Sequence, residues 1–309
     1  MMALQKIQRR VNEQGIRGLP GWAANWLYWK GKLYRVPAMP RVRAELKYRR
    51  SRKKFNIDTP IIVYQMGKVG SSSVYDALRD LDLDVPVYHA HVLNRFEVYE
   101  EGVRRTRIDP TGNLAALREG RALRNLVDSA RWQKWALVSL VRAPIPRALS
   151  DFFENVDAYV PNFWERWKNN EIGVAELNET FWARFQDTSM IHWFDDQVRD
   201  VFGIDVFATP FPHAQGYAMY ENERARLLLI RLENLNACVG DAMRAFLGLP
   251  HFQLSQKNIG SEKPYGALYR EFLAQLRLPR EYINATDATR YARHFYNESE
   301  LAASVARWV

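Results

Sequence analysis

The sequence predicts an α/β fold, a three-layer sandwich in which helices cover both faces of a mostly parallel central sheet. Short apolar runs suited to buried strands occur at residues 61–64, 85–89, 135–141 and 226–232. Between and after them, apolar residues recur at helical spacing. Strands that alternate with helices are typical of a parallel sheet, because each crossover helix returns the chain to the same edge. We expect the helices at residues 72–81, 114–127, 144–155, 171–202, 235–247, 265–278 and 287–308.

The composition suits one large α/β domain with a small appendage. The chain has 309 residues, of which 47% are hydrophobic, enough for a real core. There is no run of about 18 apolar residues that would predict a membrane-spanning helix, and no apolar signal-peptide core at the N-terminus. The single cysteine, Cys238, cannot form an intrachain disulfide. We therefore expect a cytoplasmic protein.

The positive charge is concentrated in an N-terminal arm, residues 1–54. This arm holds 15 Lys and Arg against two acids, whereas residues 55–309 hold 29 basic and 33 acidic side chains. The formal net charge of +9 therefore comes from the arm, because residues 55–309 carry slightly more acidic than basic side chains. We expect residues 55–309 to form a catalytic domain that does not bind nucleic acid. Three tryptophans with helical spacing lie among the basic residues: Trp22, Trp26 and Trp29. They favour either packing on the domain or peripheral contact with the inner face of a membrane.

A Gly/Ser loop at residues 67–73 follows the first predicted strand and leads into a helix. A helix N-terminus offers unpaired N–H groups and a positive dipole end, which suit an anion. The loop reads Gly67, Lys68, Val69, Gly70, Ser71, Ser72, Ser73. A nucleotide-hydrolysing P-loop needs lysine directly before the hydroxyl residue that binds magnesium. In this loop Lys68 comes too early for that role.

A second anion anchor follows the third predicted strand. Arg142 lies at the strand end, where open α/β sheets bind ligands, and Ser150 lies on the next helix. A guanidinium and a hydroxyl can together hold a phosphate dianion. The two anchors therefore indicate a ligand that carries two separate phosphate groups.

These motifs resemble the sulfotransferases that use 3′-phosphoadenosine 5′-phosphosulfate (PAPS), whose fold is related to P-loop NTPases. The phrases YQMGKVGSSSV and LVRAPIPRALSDFFEN carry the likeness. YHAHVLN, WFDDQVRDVFGIDVF, LLLIRLENL and KNIGSEKPYGALYREF are similar to bacterial capsular polysaccharide synthesis and sulfotransferase-like proteins. The resemblance spans roughly residues 58–309. It implies sulfuryl transfer from PAPS to a carbohydrate hydroxyl, with the 5′-phosphosulfate on the Gly/Ser loop and the 3′-phosphate on Arg142 and Ser150.

The chain departs from the superfamily at two places. Ala143 stands before Pro144, where the superfamily often has aspartate. Many members also carry a late Arg-Lys-Gly phosphate clamp, for which this chain offers a loose counterpart in Lys257, Asn258 and Lys263.

An alcohol acceptor needs a general base, and the second strand ends in two histidines. The resemblance favours His91, while His89, Glu97, Asp151 and Glu154 stay open as alternatives. Lys68 would neutralise the departing phosphate. We expect no metal, because no cluster of His, Cys and Asp has ligand spacing.

Two other functions remain open at this stage. An ATP-dependent kinase on a related sheet would need magnesium. A non-catalytic protein at the membrane surface would bind polyanions through the arm. The acceptor would lie against variable segments, residues 95–112 and 155–225, whose aromatic side chains favour either core packing or stacking on sugar rings.

Overall fold

A computed structural model describes residues 59–81, 83, 85–94, 115–129, 134–184, 189–254 and 266–309. The predictions for the arm (residues 1–54), for segment 95–112, and for Glu97, Lys257, Asn258 and Lys263 lie outside the described residues. No helix within the described ranges is long and apolar enough to span a bilayer.

The described part of the chain contains a five-stranded sheet in the order β2-β1-β3-β5-β4. The strands are β1 (Ile61–Tyr64), β2 (Val87–Ala90), β3 (Trp135–Val141), β4 (Tyr217–Glu221) and β5 (Ala225–Arg231). Strands β2, β1, β3 and β5 run parallel, and β4 pairs antiparallel with β5 at the edge. The predicted α/β class with a mostly parallel sheet is confirmed.

Both faces of the central strands are covered. Every residue of β1 and β3 is buried, and successive side chains of a strand point to opposite faces. By contrast, β4 is half-buried and has an exposed methionine, Met219, at its centre. Its apolar residues, Tyr217 to Tyr220, include no Val, Ile or Leu, unlike the runs that predicted the other strands, and the sequence did not predict this strand.

The predicted helices are present, but residues 171–202 and 287–308 are each divided into shorter helices. The helices at Val156–Tyr159, Phe163–Lys168 and Arg280–Asp287 were not predicted. After β1 comes α1 (Ser71–Asp80), and α2 (Ala115–Asp128) precedes β3. Between β3 and β4 lie α3 (Pro144–Glu154), α4 (Val156–Tyr159), α5 (Phe163–Lys168), α6 (Val174–Arg184), α7 (Ser189–Trp193), a π-helix (Phe194–Arg199) and α8 (Asp200–Phe202). After β5 and a 3₁₀ turn (Leu232–Asn234) come α9 (Leu235–Leu247), α10 (Gly266–Gln275), α11 (Arg280–Asp287), α12 (Arg290–Phe295) and α13 (Glu298–Trp308).

The buried apolar side chains form two clusters. One surrounds the sheet, and the other is helical, joining α3 to α5, α6, α10 and α11 through an aromatic group centred on Phe152 and Phe272. Phe163, Phe181 and Trp193 are buried, as expected for core residues. Trp182 is 44% exposed and lies outside both clusters.

The strand order creates a crevice between β1 and β3. The chain moves from β1 to β2 in one direction, then crosses back over β1 to reach β3 on the other side. Such a reversal separates the loops that leave two neighbouring parallel strands, and ligands of open α/β sheets bind there. The segments that leave β1 and β3 contain Lys68 and Arg142, the two residues predicted to hold anions.

Candidate functional site

The Gly/Ser loop has the backbone shape of an anion cradle. Lys68 and Gly70 both adopt left-handed conformations, with φ of 67° and 84°. Alternation of this kind turns successive N–H groups towards a common point. Helix α1 begins at Ser71, and no side chain caps its first turn. Its leading N–H groups are therefore available to a bound oxyanion.

The three serines of the loop differ in exposure. Ser71 is buried, Ser73 is half-buried and Ser72 is exposed. Val69 is fully buried, so it anchors the loop to the sheet core through its side chain and can offer only its backbone to a ligand.

Two arginines that follow β3, one in the connection to α3 and one on α3, hold the loop in place. The Nη1 of Arg142 donates to the carbonyl of Lys68 at 3.1 Å, and the Nε of Arg147 donates to the carbonyl of Gly67 at 3.1 Å. Arg142 is half-buried, whereas Arg147 is only 3% exposed. The Gly/Ser loop and Arg142, which the sequence predicted as two separate anion anchors, are therefore in direct contact. Arg147 was not predicted, because nothing in the sequence distinguishes it from a surface arginine of an amphipathic helix.

One face of α3 is turned towards the loop. Arg147, Ser150 and Glu154 are spaced three and four residues apart, which places them on the same side of the helix. Arg147 bonds the loop backbone, and Glu154 forms an ion pair with the Nζ of Lys68. Ser150, half-buried, lies between these two contacts along the helix. Arg142 lies just before α3 and Ser150 lies on α3, so both members of the predicted pair lie on the side of this segment that faces the loop.

His89 of β2 and His91, which follows the strand, lie at the same edge of the sheet. The Nε2 of His89 is 3.0 Å from the Nε2 of Gln65 and 3.1 Å from the Oγ of Ser71. Its ring also stacks on Tyr75, with 5.0 Å between ring centroids. These contacts place His89 behind the first turn of α1, where it orients Ser71.

His91 is exposed at the same edge, and its tautomer follows from its contact. Its Nδ1 lies 2.8 Å from the carbonyl oxygen of Gln65, which can only accept. The Nδ1 therefore carries the proton, and in the neutral ring the lone pair is on Nε2. The backbone carbonyl of His91 accepts from the Nε1 of Trp193 at 2.9 Å. Ring and backbone are thus both held in one orientation.

The π-helix fixes the segment that follows β2. The Oε1 of Gln197 accepts hydrogen bonds from Tyr64 Oη at 2.5 Å, Leu93 N at 2.8 Å and Asn94 N at 3.0 Å. Gln197 is fully buried. A π-helical turn is wider than an α-helical turn and is often found at functional sites. Here it joins the segment that carries His91 to the core.

The segment after β5 supports the site from the side opposite β2. A Cβ added to Gly70 would lie 2.6 Å from the Cδ1 of Leu232, so the loop and this segment are in close contact. The Oε1 of Glu233 accepts from the N–H of Ala143, next to Arg142, at 2.8 Å. Sequence reasoning missed both residues, because their contacts depend on the sheet order and not on any local pattern.

The described ranges contain no group of three or more His, Cys, Asp and Glu side chains that could hold a metal ion. The side chains brought together are instead mostly cationic or hydrogen-bond donors, namely Lys68, Arg142, Arg147, Ser71 and the first N–H groups of α1. This donor set suits an anionic ligand.

Comparison with known proteins gives one match. Residues 169–297 match the model of the NKWYS family, which is described as "Putative capsular polysaccharide synthesis protein". The match covers less than half of the chain, from the residue after α5 to the residue before α13. No curated protein and no solved structure matches the chain. The likeness to capsular polysaccharide synthesis proteins is thereby confirmed over this span, which contains Gln197 and Glu233 but neither the Gly/Ser loop nor Arg142.

Proposed function

We propose that this protein is a sulfotransferase that transfers the sulfuryl group of PAPS to a carbohydrate hydroxyl. The observation that carries the proposal is the junction of the two anion anchors at the crevice between β1 and β3. There the guanidinium of Arg142 lies 3.1 Å from the carbonyl of Lys68. Because PAPS has a 5′-phosphosulfate and a separate 3′-phosphate, it can occupy both anchors at once.

The Gly/Ser loop suits the 5′-phosphosulfate. Uncapped N–H groups at the start of α1 and the hydroxyls of Ser72 and Ser73 would donate to its oxygens. The Nζ of Lys68, now paired with Glu154, would turn to the oxygen that bridges phosphorus and sulfur. The exposed carboxylate of Glu154 is a weak competitor, because ion pairs open to solvent contribute about 0–1 kcal/mol.

The transfer step needs only a positioned acceptor and a base. The acceptor hydroxyl oxygen attacks sulfur in line, a new S–O bond forms, and the bond between sulfur and the bridging oxygen breaks. The leaving group is 3′,5′-adenosine bisphosphate, and its new negative charge is met by Lys68 and the α1 N-terminus. The acceptor's proton passes to the Nε2 of His91, whose tautomer leaves the lone pair there.

Two observations support a glycan acceptor. The family model that matches residues 169–297 is described in terms of capsular polysaccharide synthesis. Trp182 on α6 is 44% exposed, and Trp164 and Trp167 on α5 are half-buried, so these two helices offer aromatic surface. Aromatic faces of this kind can stack on sugar rings.

The test is sulfate transfer from PAPS by variants of each anchor. Lys68→Ala and Arg142→Ala should each reduce the transfer rate at low PAPS by about 100-fold or more, because each removes a charge-assisted contact to the donor. Arg244→Ala is the matched control, since Arg244 is an exposed arginine on α9 paired with Asp241. Wild-type activity in either anchor variant, with circular dichroism showing a folded protein, would refute the assignment.

A further inference from the structure

The connection between β3 and α3 consists of two residues, Arg142 and Ala143. Strand pairing between β3 and β5 ends at Val141 and Arg231. The backbone N–H and carbonyl of Arg142 therefore have no partner in the sheet. Buried or half-buried backbone groups of this kind need hydrogen bonds from elsewhere in the fold.

Tyr291 of α12 supplies both hydrogen bonds with one hydroxyl. Its Oη donates to the carbonyl of Arg142 at 2.9 Å and accepts from the N–H of Arg142 at 3.1 Å. Tyr291 is 1% exposed, and burial raises the pKa of its hydroxyl well above the ordinary value. The hydroxyl therefore keeps its proton and remains a donor at any working pH.

The backbone N–H and carbonyl of Ala143, the other residue of the connection, are also hydrogen-bonded. The N–H of Ala143 donates to Glu233, whose other oxygen accepts from the Oη of Tyr296 at 3.1 Å. The carbonyl of Ala143 accepts from the N–H of Arg147 at 3.0 Å. Pro144 has no N–H to satisfy. The backbone that carries the Arg142 side chain is thus fixed from both sides.

We propose that Tyr291 is a positioning residue that holds Arg142 ready for the 3′-phosphate of a nucleotide. The inference rests on the proposed function. Both hydrogen bonds of the Tyr291 hydroxyl go to the backbone of Arg142, 149 residues away in sequence, so Tyr291 fixes the position from which the guanidinium side chain extends. A guanidinium fork binds phosphate well only in the correct orientation, and a mobile Arg142 would lose that advantage.

The experiment measures 3′-phosphate preference by calorimetry, as the ratio of the dissociation constant of adenosine 5′-monophosphate to that of 3′,5′-adenosine bisphosphate. The proteins are wild type, Tyr291→Phe, Arg142→Ala and the double variant. Tyr291→Phe should weaken bisphosphate binding about tenfold and change monophosphate binding by less than about twofold. In the Arg142→Ala background, Tyr291→Phe should have no further effect on binding.

Tyr220→Phe is the matched control. Tyr220 is a half-buried tyrosine on the edge strand β4, and within the described residues its hydroxyl has no hydrogen-bond partner. This change should alter neither dissociation constant. A variant that merely loosened the fold would weaken both ligands, which is the result expected if Tyr291 were structural only.

Other outcomes separate this inference from the proposed function. A wild-type protein with no preference for the 3′-phosphate would overturn both. A wild-type preference that depends on Arg142 but not on Tyr291, or equal loss of both ligands in Tyr291→Phe, would overturn the inference alone. If Tyr291→Phe does not fold, Glu233→Ala loosens the same connection. A lower 3′-phosphate preference in that variant supports the inference, and an unchanged or higher one contradicts it.

Discussion

Gly70 offers a test of how tightly the Gly/Ser loop is built. Its φ of 84° lies in the left-handed region, where a residue with a Cβ is disfavoured by about 1–2 kcal/mol. In Gly70→Ala the new Cβ would also lie 2.6 Å from the Cδ1 of Leu232. Leu232 would have to leave its rotamer, at a cost of about 1 kcal/mol. The two effects together predict a loss of about 2–3 kcal/mol in the free energy of unfolding.

In a chain of 309 residues, that loss corresponds to a melting temperature lower by about 3–5 °C. Circular dichroism melts of wild type and variant measure it. The control is Gly67→Ala in the same loop, because a Cβ at Gly67 has no neighbour within 4 Å and its φ is not left-handed. We expect this control to lie within about 0.5 kcal/mol of wild type. Equal melting temperatures for wild type and Gly70→Ala, or equal losses in the two variants, would refute the reasoning.

Three further predictions concern single side chains. His91→Ala should slow sulfate transfer by about 100-fold or more without weakening bisphosphate binding, and an unchanged rate between about pH 6 and pH 9 would remove His91 as the base. Glu154→Gln should tighten bisphosphate binding by up to about fivefold, because it frees Lys68, and a collapse of the transfer rate would instead identify Glu154 as the base. Burial alone would raise the pKa of Glu300, but hydrogen bonds from Arg231 and the N–H of Asn297 hold it below its ordinary value. The stability from this pair is therefore present at neutral pH and lost as the pH falls through the folded pKa. The gap in melting temperature between wild type and Glu300→Gln should close as the pH falls below the ordinary pKa of a glutamate, and a constant gap would contradict the linkage.

The sheet and the convergence of the two anchors were predictable from local patterns. Buried strands such as β3 and β5 are continuous apolar runs, and the carboxyl ends of parallel strands must meet at one edge. That rule was enough to bring the Gly/Ser loop, Arg142 and the two histidines together. Local patterns did not predict β4, whose edge position leaves it half-buried and whose apolar residues include no Val, Ile or Leu.

The residues that support the anchors were not predictable in the same way. From the sequence alone, Tyr291 would be predicted to be a core aromatic residue of a C-terminal helix. Glu233 would be predicted to be a solvent-exposed charge that follows a strand. Their roles come from hydrogen bonds to Arg142 and Ala143 that cross 149 and 90 positions of sequence. Only the fold determines which distant side chain satisfies a given backbone group, so a single sequence contains no periodic signal for such contacts.

A thermal-shift screen tests whether the site binds a nucleotide with two separate phosphates. The ligands are 3′,5′-adenosine bisphosphate, ATP with magnesium, and heparin, each added to wild type and to Arg142→Ala. We expect the bisphosphate to raise the melting temperature of wild type, Arg142→Ala to lose most of this shift, and ATP with magnesium to give little shift. Stabilisation by ATP with magnesium but not by the bisphosphate, or by heparin alone, would contradict this expectation.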